Sequence, residues 1–222
     1  MKILIVTGGN IDCDFAFSFL EKNTYDEIIG VDGGLAFVEK AGLKLTHLVG
    51  DFDTIDPEIL QHYIHREDLS VHQFVPEKDY TDTDIAVKLA VELFAEIQSG
   101  DEKKLHILGG TGSRLDHVLA NLQMLKRPME AGIEAMIVDS NNQIQLIQGR
   151  ATVRKANTIG KYISLIPATQ RLEGITLKGF KYPLTDAHTA FGESLCVSNE
   201  LTGDAGEILI NKGMAWLICS RD

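Results

Sequence analysis

Acidic residues recur in this sequence where apolar runs end, at the points where buried strands would pass into loops. Carboxylates gathered at one edge of a sheet repel one another unless cations neutralise them. Mg2+ is the natural neutraliser, because it takes a few carboxylate oxygens and bridges to substrate phosphates. The sequence therefore predicts a magnesium-dependent site that binds a nucleotide polyphosphate such as ATP. The acidic residues of these loops are Asp32, Asp51, Asp53, Asp79, Asp82 and Asp116.

Asp51 and Asp53 are separated by a single residue, Phe52. In an extended segment this spacing directs both carboxylates to one side and the phenylalanine ring to the other. The pair is then suited to bind a metal ion. Two solvated turn residues are the alternative interpretation.

Two cations, Lys78 and Arg114, belong to the same set of loops. They are placed to hold phosphate oxygens and to offset charge on a transferred group, although each by itself is more often a surface residue. His117 follows Asp116 at the start of a helical pattern. It is a candidate to accept an alcohol proton or to stack on a nucleotide base, with a helix-capping or packing role as the alternative.

Glycines accompany these loops. Gly33 and Gly34 follow Asp32, and the segment Gly109–Gly112 leads into a helical pattern. Backbone N–H groups at such a helix N-terminus bind phosphate well. The chain has neither the GxxxxGK[ST] pattern of P-loop NTPases nor the GxGxxG fingerprint of dinucleotide-binding folds, which argues against both classes.

The elements that must position these residues follow from the apolar pattern. From residue 1 to about 140, short apolar runs alternate with helical patterns, which predicts a Rossmann-like parallel sheet with flanking helices. Ligands bind such sheets at the carboxyl ends of the strands. Two segments have a clear helical period, each with an apolar stripe to bury, and Thr81 caps the first. The predicted strands are 3–6, 27–31, 47–49, 71–74, 105–108 and 135–138. The two stripes are Ile85, Leu89, Leu93 and Ile97, and Leu115, Leu119 and Leu122.

The pattern changes after about residue 140. Helical periodicity ends, and short β-rich runs are separated by Gly, Asn and Asp turns. About 80 residues of this kind predict a C-terminal all-β sandwich domain. We therefore expect an α/β domain over residues 1–140 and a β domain over residues 141–222. The β-rich runs are 162–166, 175–177, 195–197, 208–210 and 215–219.

Composition narrows the function classes. The formal net charge is -11, which disfavours general binding to nucleic acid or to an anionic membrane surface. No apolar run approaches the roughly 20 residues of a membrane helix. The 3 cysteines, Cys13, Cys196 and Cys219, have no metal-site spacing and are expected to be small buried side chains. We expect a cytoplasmic protein.

Four ordered motifs resemble those of the thiamine pyrophosphokinase family. They are Asp32-Gly-Gly34, Gly50-Asp-Phe-Asp-Thr54, Lys78-Asp-Tyr-Thr-Asp82 and Gly109-Gly-Thr-Gly-Ser-Arg-Leu-Asp-His117. The β-rich half adds Ser198-Asn-Glu200 and a late Trp216, similar to the β-sandwich of that family. The resemblance covers the whole chain. It implies transfer of the β,γ-pyrophosphoryl group of ATP to the hydroxyl of thiamine, giving thiamine diphosphate and AMP.

The resemblance also implies roles for individual residues and a homodimer with shared active sites. Asp116 is a candidate to accept the alcohol proton or to complete the metal shell. The implied magnesium ligands are Asp51, Asp53, Asp79 and Asp82. The implied phosphate contacts are Lys78 and Arg114, and the implied nucleotide pocket comprises Asp32, Gly33, Gly34, Gly110, Thr111, Gly112 and His117. The implied thiamine contacts are Ser198, Asn199 and Trp216.

Three alternative functions fit parts of the same pattern. A diphosphokinase that acts on a pterin alcohol would keep the phosphate and metal motifs and change the acceptor pocket. A regulatory module that senses ATP or magnesium without turnover would not need so many carboxylates around the phosphates. A metal-dependent phosphohydrolase would release phosphate without an acceptor.

Overall fold

The computed structural model describes residues 1–52, 55, 57–74, 79–97 and 101–222. The chain divides into two compact units, Met1–Ser140 and Asn141–Asp222. The first unit is α/β and the second is built from strands, so the fold class predicted from the sequence is confirmed.

The first unit contains a sheet of six parallel strands in the order β6-β5-β1-β2-β3-β4. Non-sequential neighbours in this order require helical crossovers on both faces, as in Rossmann-like folds. All six predicted strands are confirmed. Their bounds are β1 Lys2–Val6, β2 Glu27–Val31, β3 His47–Gly50, β4 Ser70–Gln73, β5 Lys104–Leu108 and β6 Glu134–Val138.

Helices cover both faces of this sheet. Leu4, Val6 and Leu48 face a core shared with α1, α2 and α3, and the alternate residues Ile3 and Ile5 are fully buried on the opposite face, where α4 packs. The sequence did not predict the helices of the first face, since their 7 to 9 residues are too short for a clear period. The bounds are α1 Cys13–Glu21, α2 Leu35–Ala41, α3 Pro57–Ile64, α4 Asp82–Ala95, α5 Leu115–Met124 and α6 Lys126–Glu130.

The two predicted helices exist, but they bury different faces from those expected. In α4 the buried positions include Ala86, Ala90 and Phe94, while the predicted stripe is only half-buried. Small alanine side chains let the helix approach the sheet more closely than leucine would. In α5, Leu115 is 71% exposed and Leu119 is 56% exposed. A large apolar side chain is therefore a poor guide to the inward face of either helix.

The second unit is an antiparallel all-β structure. Strand β11 pairs with β7 along most of its length, and its other edge pairs first with β9 and then with β8. β10 pairs with β9. Side chains such as Ile163, Leu172 and Leu217 form the core of the unit. The bounds are β7 Asn142–Arg154, β8 Tyr162–Pro167, β9 Arg171–Lys178, β10 Leu184–Ala190 and β11 Ala205–Ser220.

Several strand predictions in this unit were wrong in detail. The runs 208–210 and 215–219 belong to one strand, β11, whose register shifts between Leu209 and Met214. Gly213 has φ +102 there, which suits a β-bulge that interrupts the alternating pattern. The run 195–197 lies in a turn and a bend and not in a strand, although the Leu165 N–H of β8 donates to the carbonyl oxygen of Cys196 at 2.9 Å.

None of the helices in the described ranges is both long and apolar enough to cross a membrane. The three cysteines are free. Cys196 and Cys219 are buried, as expected, and burial raises the pKa of the Cys219 thiol to about 12. Cys13 is only partly buried.

Candidate active site

A cavity of about 480 Å³ opens in the first unit, where the loops that follow β1, β2 and β5 meet the start of α4 and the first turns of α5. This is the edge at which open parallel sheets bind ligands. Its walls are mostly backbone and small polar side chains. The lining residues are Thr7, Gly8, Gly9, Asn10, Val31, Asp32, Gly33, Thr81, Asp82, Thr83, Gly109, Gly110, Thr111, Gly112, Ser113, Arg114, His117, Val118 and Asn121.

Two loops form one wall by hydrogen bonding to each other. The Gly9 N–H donates to the carbonyl oxygen of Gly109 at 3.0 Å, and the Asn10 N–H donates to that of Thr111 at 2.8 Å. A side chain on Gly9 would place its Cβ 2.2 Å from both carbonyl oxygens. Glycine is therefore required for the two backbones to approach this closely.

Side chains from two further elements support the second of these loops. The amide nitrogen of Asn121, on α5, donates to the carbonyl oxygen of Gly110 at 2.7 Å. The Thr111 hydroxyl donates to Asp139, just after β6, at 2.8 Å. The loop was predicted from the sequence, whereas its two supporting residues were not. No sequence signal distinguished Asn121, because α5 also contains the polar residues Asp116, His117 and Gln123.

Strand β1 is tied to the start of α4 through two buried hydroxyl groups. The Oγ1 atoms of Thr7 and Thr83 are 2.7 Å apart. Thr81 caps the helix as predicted, and its Oγ1 accepts from the Asp84 N–H at 3.2 Å. These contacts place Asp82, the first residue of α4, against the cavity. The sequence predicted no role for the hydroxyl groups of Thr7 and Thr83.

Three of the predicted carboxylates interact with one another, and two of them, Asp32 and Asp82, line the cavity. Asp32 accepts from the Phe52 N–H at 3.4 Å. Burial raises the pKa of Asp32 to about 7, and repulsion by Asp82 and a hydrogen bond with its carboxyl group add to the rise. Asp51 raises the pKa of Asp32 further, and the Phe52 N–H opposes the change. The structure thus brings Asp32, Asp51 and Asp82 together.

The assumption that Asp51 to Asp53 is an extended segment is wrong. Phe52 has φ 66, which lies in the left-handed region, so the simple alternation of an extended strand does not hold. The ring of Phe52 is nevertheless turned into the core, with 7% exposure. Asp53 lies outside the described residues.

Gly33 and Gly34 differ in their surroundings. Gly33 lines the cavity, whereas Gly34 is buried against β1. A Cβ on Gly34 would lie 2.3 Å from the carbonyl oxygen of Val6. Gly34 therefore allows close packing of its loop on the strand and is not among the residues that line the cavity.

Arg114 and Asp116 are neighbours that pair with each other. Arg114 lines the cavity, and its guanidinium donates to Asp116 at 2.7 Å. The hydrogen bond from Arg114 lowers the pKa of Asp116 to about 2. Such a carboxylate is a poor proton acceptor at neutral pH, and it is not among the lining residues. His117, one residue later, does line the cavity.

The remaining loop is described only in part. Asp79 is exposed and does not belong to the cavity lining. Lys78 lies outside the described residues. Within the described ranges there is no group of three or more His, Cys, Asp or Glu side chains arranged to hold a metal ion. Magnesium, however, commonly uses one or two protein carboxylates and takes its other ligands from water and substrate phosphates.

The residues predicted to contact thiamine belong to the second unit. Asn199 is 5% exposed, and its side chain accepts from the N–H groups of Tyr182 and Glu200 and donates to the Tyr182 carbonyl oxygen. These bonds make Asn199 a structural residue of its turn. Ser198 is exposed, with φ 58. Trp216 is half-buried on β11 and alternates with Ala215 and Leu217, which face the core.

Comparison with known proteins gives a consistent result. Residues 19–137 match the family described as "Thiamin pyrophosphokinase, catalytic domain", and residues 150–215 match "Thiamin pyrophosphokinase, vitamin B1 binding domain". The chain is 36% identical over 195 residues to the thiamine pyrophosphokinase of Bacillus subtilis (strain 168), a match that covers 87% of each chain.

Solved structures agree with this match. The crystal structure of thiamine pyrophosphokinase from Bacillus subtilis aligns with a TM-score of 0.85 at 33% identity and covers 100% of both chains. That of thiamin pyrophosphokinase from Geobacillus thermodenitrificans aligns with a TM-score of 0.83 at 33% identity, covering 100% of this chain and 98% of the other. The thiamin pyrophosphokinase from Candida albicans has the same fold at 14% identity, with a TM-score of 0.77 and coverage of 99% and 89%.

Proposed function

The chain belongs to the thiamin pyrophosphokinase family, and from this premise we propose that it transfers the pyrophosphoryl group of ATP to the hydroxyl of thiamine. The products are thiamine diphosphate and AMP. The observation that carries the assignment to a site is the cavity of the first unit, where a glycine-walled loop faces the interacting carboxyl groups of Asp32 and Asp82. A polyphosphate with its cation fits this combination.

The loop residues are suited to hold the phosphates. Gly110, Thr111 and Gly112 lead into α5, so their backbone and the helix N-terminus favour negative charge. The guanidinium of Arg114 can bind phosphate oxygens at the rim of the cavity, and Asp116 holds it in place. Attack on a phosphorus atom depends mainly on such positioning and charge neutralisation. We propose Lys78 as a further phosphate contact.

A divalent cation suits the carboxylates of this cavity. Burial and repulsion by Asp82 raise the pKa of Asp32 to about 7, and a bound cation would relieve that repulsion. We propose that Asp51, Asp53, Asp79 and Asp82 hold Mg2+, with Asp32 close by. When bound, the ion would neutralise phosphate charge during the transfer.

The acceptor site is proposed to lie in the second unit. Trp216 offers an aromatic face for the cationic thiazolium ring, and Ser198 offers a hydroxyl group. Asn199 contributes by holding the turn, because its amide is already bonded within the unit. His117 lines the nucleotide cavity and remains our candidate to stack on the base or accept the alcohol proton.

We propose that the protein is a homodimer with shared active sites and acts in the cytoplasm, where ATP and Mg2+ are available. Two large apolar side chains of α5, Leu115 and Leu119, are exposed beside cavity residues and are suited to an interface. Light scattering should give twice the chain mass of 24.5 kDa, and Leu119→Glu should shift the protein toward the single chain. A wild-type mass of one chain at micromolar concentration would contradict the dimer.

The reaction is tested by incubating the purified protein with ATP, Mg2+ and thiamine while AMP and thiamine diphosphate are measured. Both products should appear in equal amounts, and only when thiamine and metal are present. Asp51→Asn and Asp82→Asn should abolish turnover without unfolding the protein. Formation of ADP or free phosphate would instead indicate a monophosphoryl kinase or a hydrolase. Turnover only with a pterin alcohol would change the assigned acceptor.

A further inference from the structure

The side-chain amide of Asn121 uses its nitrogen in a hydrogen bond within the protein and leaves its oxygen, Oδ1, to bind another group. It lines the cavity from α5 with only 8% exposure, and its amide nitrogen donates to the Gly110 carbonyl oxygen at 2.7 Å. A carbonyl oxygen can only accept, so this bond fixes the orientation of the amide. The nitrogen points to the loop, and the oxygen Oδ1 is the remaining polar atom.

The oxygen of Asn121 is reachable from the cavity. Among the described residues this oxygen has no hydrogen-bond partner. Every fully buried side-chain oxygen or nitrogen of those residues does have a partner, so Oδ1 of Asn121 must be accessible. Since Asn121 is almost fully covered and lines the cavity, a ligand in that cavity is the partner it can meet. An acceptor in such a place favours ligands that present a donor and disfavours those that do not.

We infer that Asn121 is a specificity-determining residue whose Oδ1 accepts a hydrogen bond from the nucleoside part of the bound nucleotide. The inference rests on the proposed function, in which this cavity takes ATP. Ionised phosphate oxygens only accept hydrogen bonds, so the triphosphate offers Asn121 no donor. Two groups of ATP do: the amino group of adenine and the hydroxyls of ribose.

Nucleotide titrations test this inference and separate the two donors. Calorimetry with Mg2+ and without thiamine compares ATP with purine riboside triphosphate, 2′-deoxy-ATP and 3′-deoxy-ATP, each of which lacks one donor. The wild-type protein should bind one of these analogues roughly 3- to 10-fold more weakly than ATP, the range expected for one neutral hydrogen bond. The quantity compared is the Kd of each analogue divided by the Kd of ATP. In Asn121→Ala this ratio should fall to one for the weakened analogue and stay unchanged for the other analogues.

The ratio of analogue to ATP binding distinguishes a direct contact between Asn121 and the nucleotide from the support that Asn121 gives to the Gly110 loop. Asn121→Ala also removes the bond to Gly110, which should weaken all nucleotides by a common factor. Thr111→Val is the matched control, because it removes the other side-chain support of this loop and leaves Asn121 in place. It should preserve the wild-type ratios.

Two results would overturn the inference: equal binding of all four nucleotides by the wild type, or an unchanged ratio in Asn121→Ala. The titration requires no turnover, so a protein that binds ATP selectively through Asn121 and forms no AMP would refute only the proposed reaction. A wild type that binds no nucleotide would refute both.

Discussion

The carboxyl group of Asp32 is half-buried beside Asp82 and Asp51, and this crowding raises its pKa to about 7. Ionisation of a carboxyl group in such a place lowers the free energy of unfolding. A bound cation would offset this loss. Arg114 and Asp116 show the opposite balance, since each stabilises the charged form of the other in solvent. Asp32 and Asp82 are therefore suited to a metal ion, and Arg114, held by Asp116, is suited to contact a phosphate group.

Asp32→Asn should change how stability depends on pH in the metal-free protein. In the unfolded chain this carboxyl group has a pKa near 3.8, against about 7 when folded. The folded state therefore holds more protons between these values, and the free energy of unfolding falls as pH rises from about 4 to 7. Asparagine tolerates the left-handed backbone at this position, where φ is 39, and removes the charge.

Thermal unfolding with a chelator, from pH 4 to pH 8, measures this effect. At pH 8 Asp32→Asn should unfold about 2–4 °C above the wild type, a shift that corresponds to about 1 kcal/mol for a chain of this size. The advantage should be much smaller near pH 4, where Asp32 is protonated in the folded state and partly protonated in the unfolded chain. If the unfolding temperatures of the two proteins differed by the same amount at every pH, ionisation of Asp32 would not destabilise the folded state.

Substitutions at Arg114 and Asp116 should separate phosphate binding from proton transfer. Arg114→Gln should raise KM for MgATP at least tenfold, the loss of one charged hydrogen bond. Asp116→Asn should have a smaller effect and leave the pH profile of kcat/KM unchanged between pH 5 and 8, because the pKa of Asp116 is about 2. If Asp116→Asn removed the acid limb of that profile, Asp116 would be the proton acceptor after all.

The first turn of α4 contains a helix cap, a cavity residue and a hydrogen bond to β1. Thr81 caps it, Asp82 faces the cavity, and Thr83 bonds to Thr7 on β1. Asp84 is turned to the other side, where Arg127 donates to it at 3.0 Å and ties the turn to α6. The position of Asp82 therefore depends on helix geometry as much as on its own side chain.

Thr81→Ala should lower both stability and nucleotide binding. Loss of an N-cap costs about 1 kcal/mol, so the unfolding temperature should fall by about 2–4 °C. KM for MgATP should also rise, because Asp82 and Thr83 follow the cap directly. Asp12→Ala is the matched control: Asp12 caps α1 through the Phe15 N–H at 2.9 Å, on an element that does not line the cavity. It should cost similar stability and leave KM unchanged, and an equal rise in KM for both variants would argue against a special role for the α4 turn.

The whole molecule combines units of different charge. Residues 1–140 carry 25 Asp+Glu and 12 Lys+Arg, a net charge of -13, whereas residues 141–222 carry 7 and 9, a net charge of +2. The acidic excess thus belongs to the unit that contains the cavity, and the proposed polyphosphate would have to bind there together with a cation. The β unit has no such excess and contains the single tryptophan of the chain.

Trp216 fluorescence should report acceptor binding. Thiamine should quench the emission of this half-buried ring in a saturable way, and ATP with Mg2+ alone should leave it unchanged, because the nucleotide is proposed to bind in the other unit. Trp216→Phe should raise KM for thiamine roughly 3- to 30-fold, the range of a cation–π contact, and leave KM for ATP unchanged. A variant with an unchanged KM for thiamine would remove Trp216 from the acceptor site.

Sequence alone was sufficient for the features that depend on local chemistry. All six strands of the first unit were predicted: five are buried runs rich in apolar residues, and β4 is a short, largely exposed strand at the end of the sheet order. Thr81 followed by a helical period indicated a cap, which the structure contains. The four ordered motifs also identified the family, because their glycines and carboxylates stand at strand ends in a fixed order.

Tertiary structure decided which side chains meet. The apolar periods of α4 and α5 did not indicate their buried faces. Helix α4 packs against the sheet with buried alanines, and α5 buries Asn121. Asn121, Asp139 and Thr83 support the cavity through contacts with residues 11 to 76 positions away, a distance that no local pattern contains. The approach of Asp32 to Asp82, 50 positions apart, likewise depends on the tertiary structure, and it contributes to the raised pKa of Asp32.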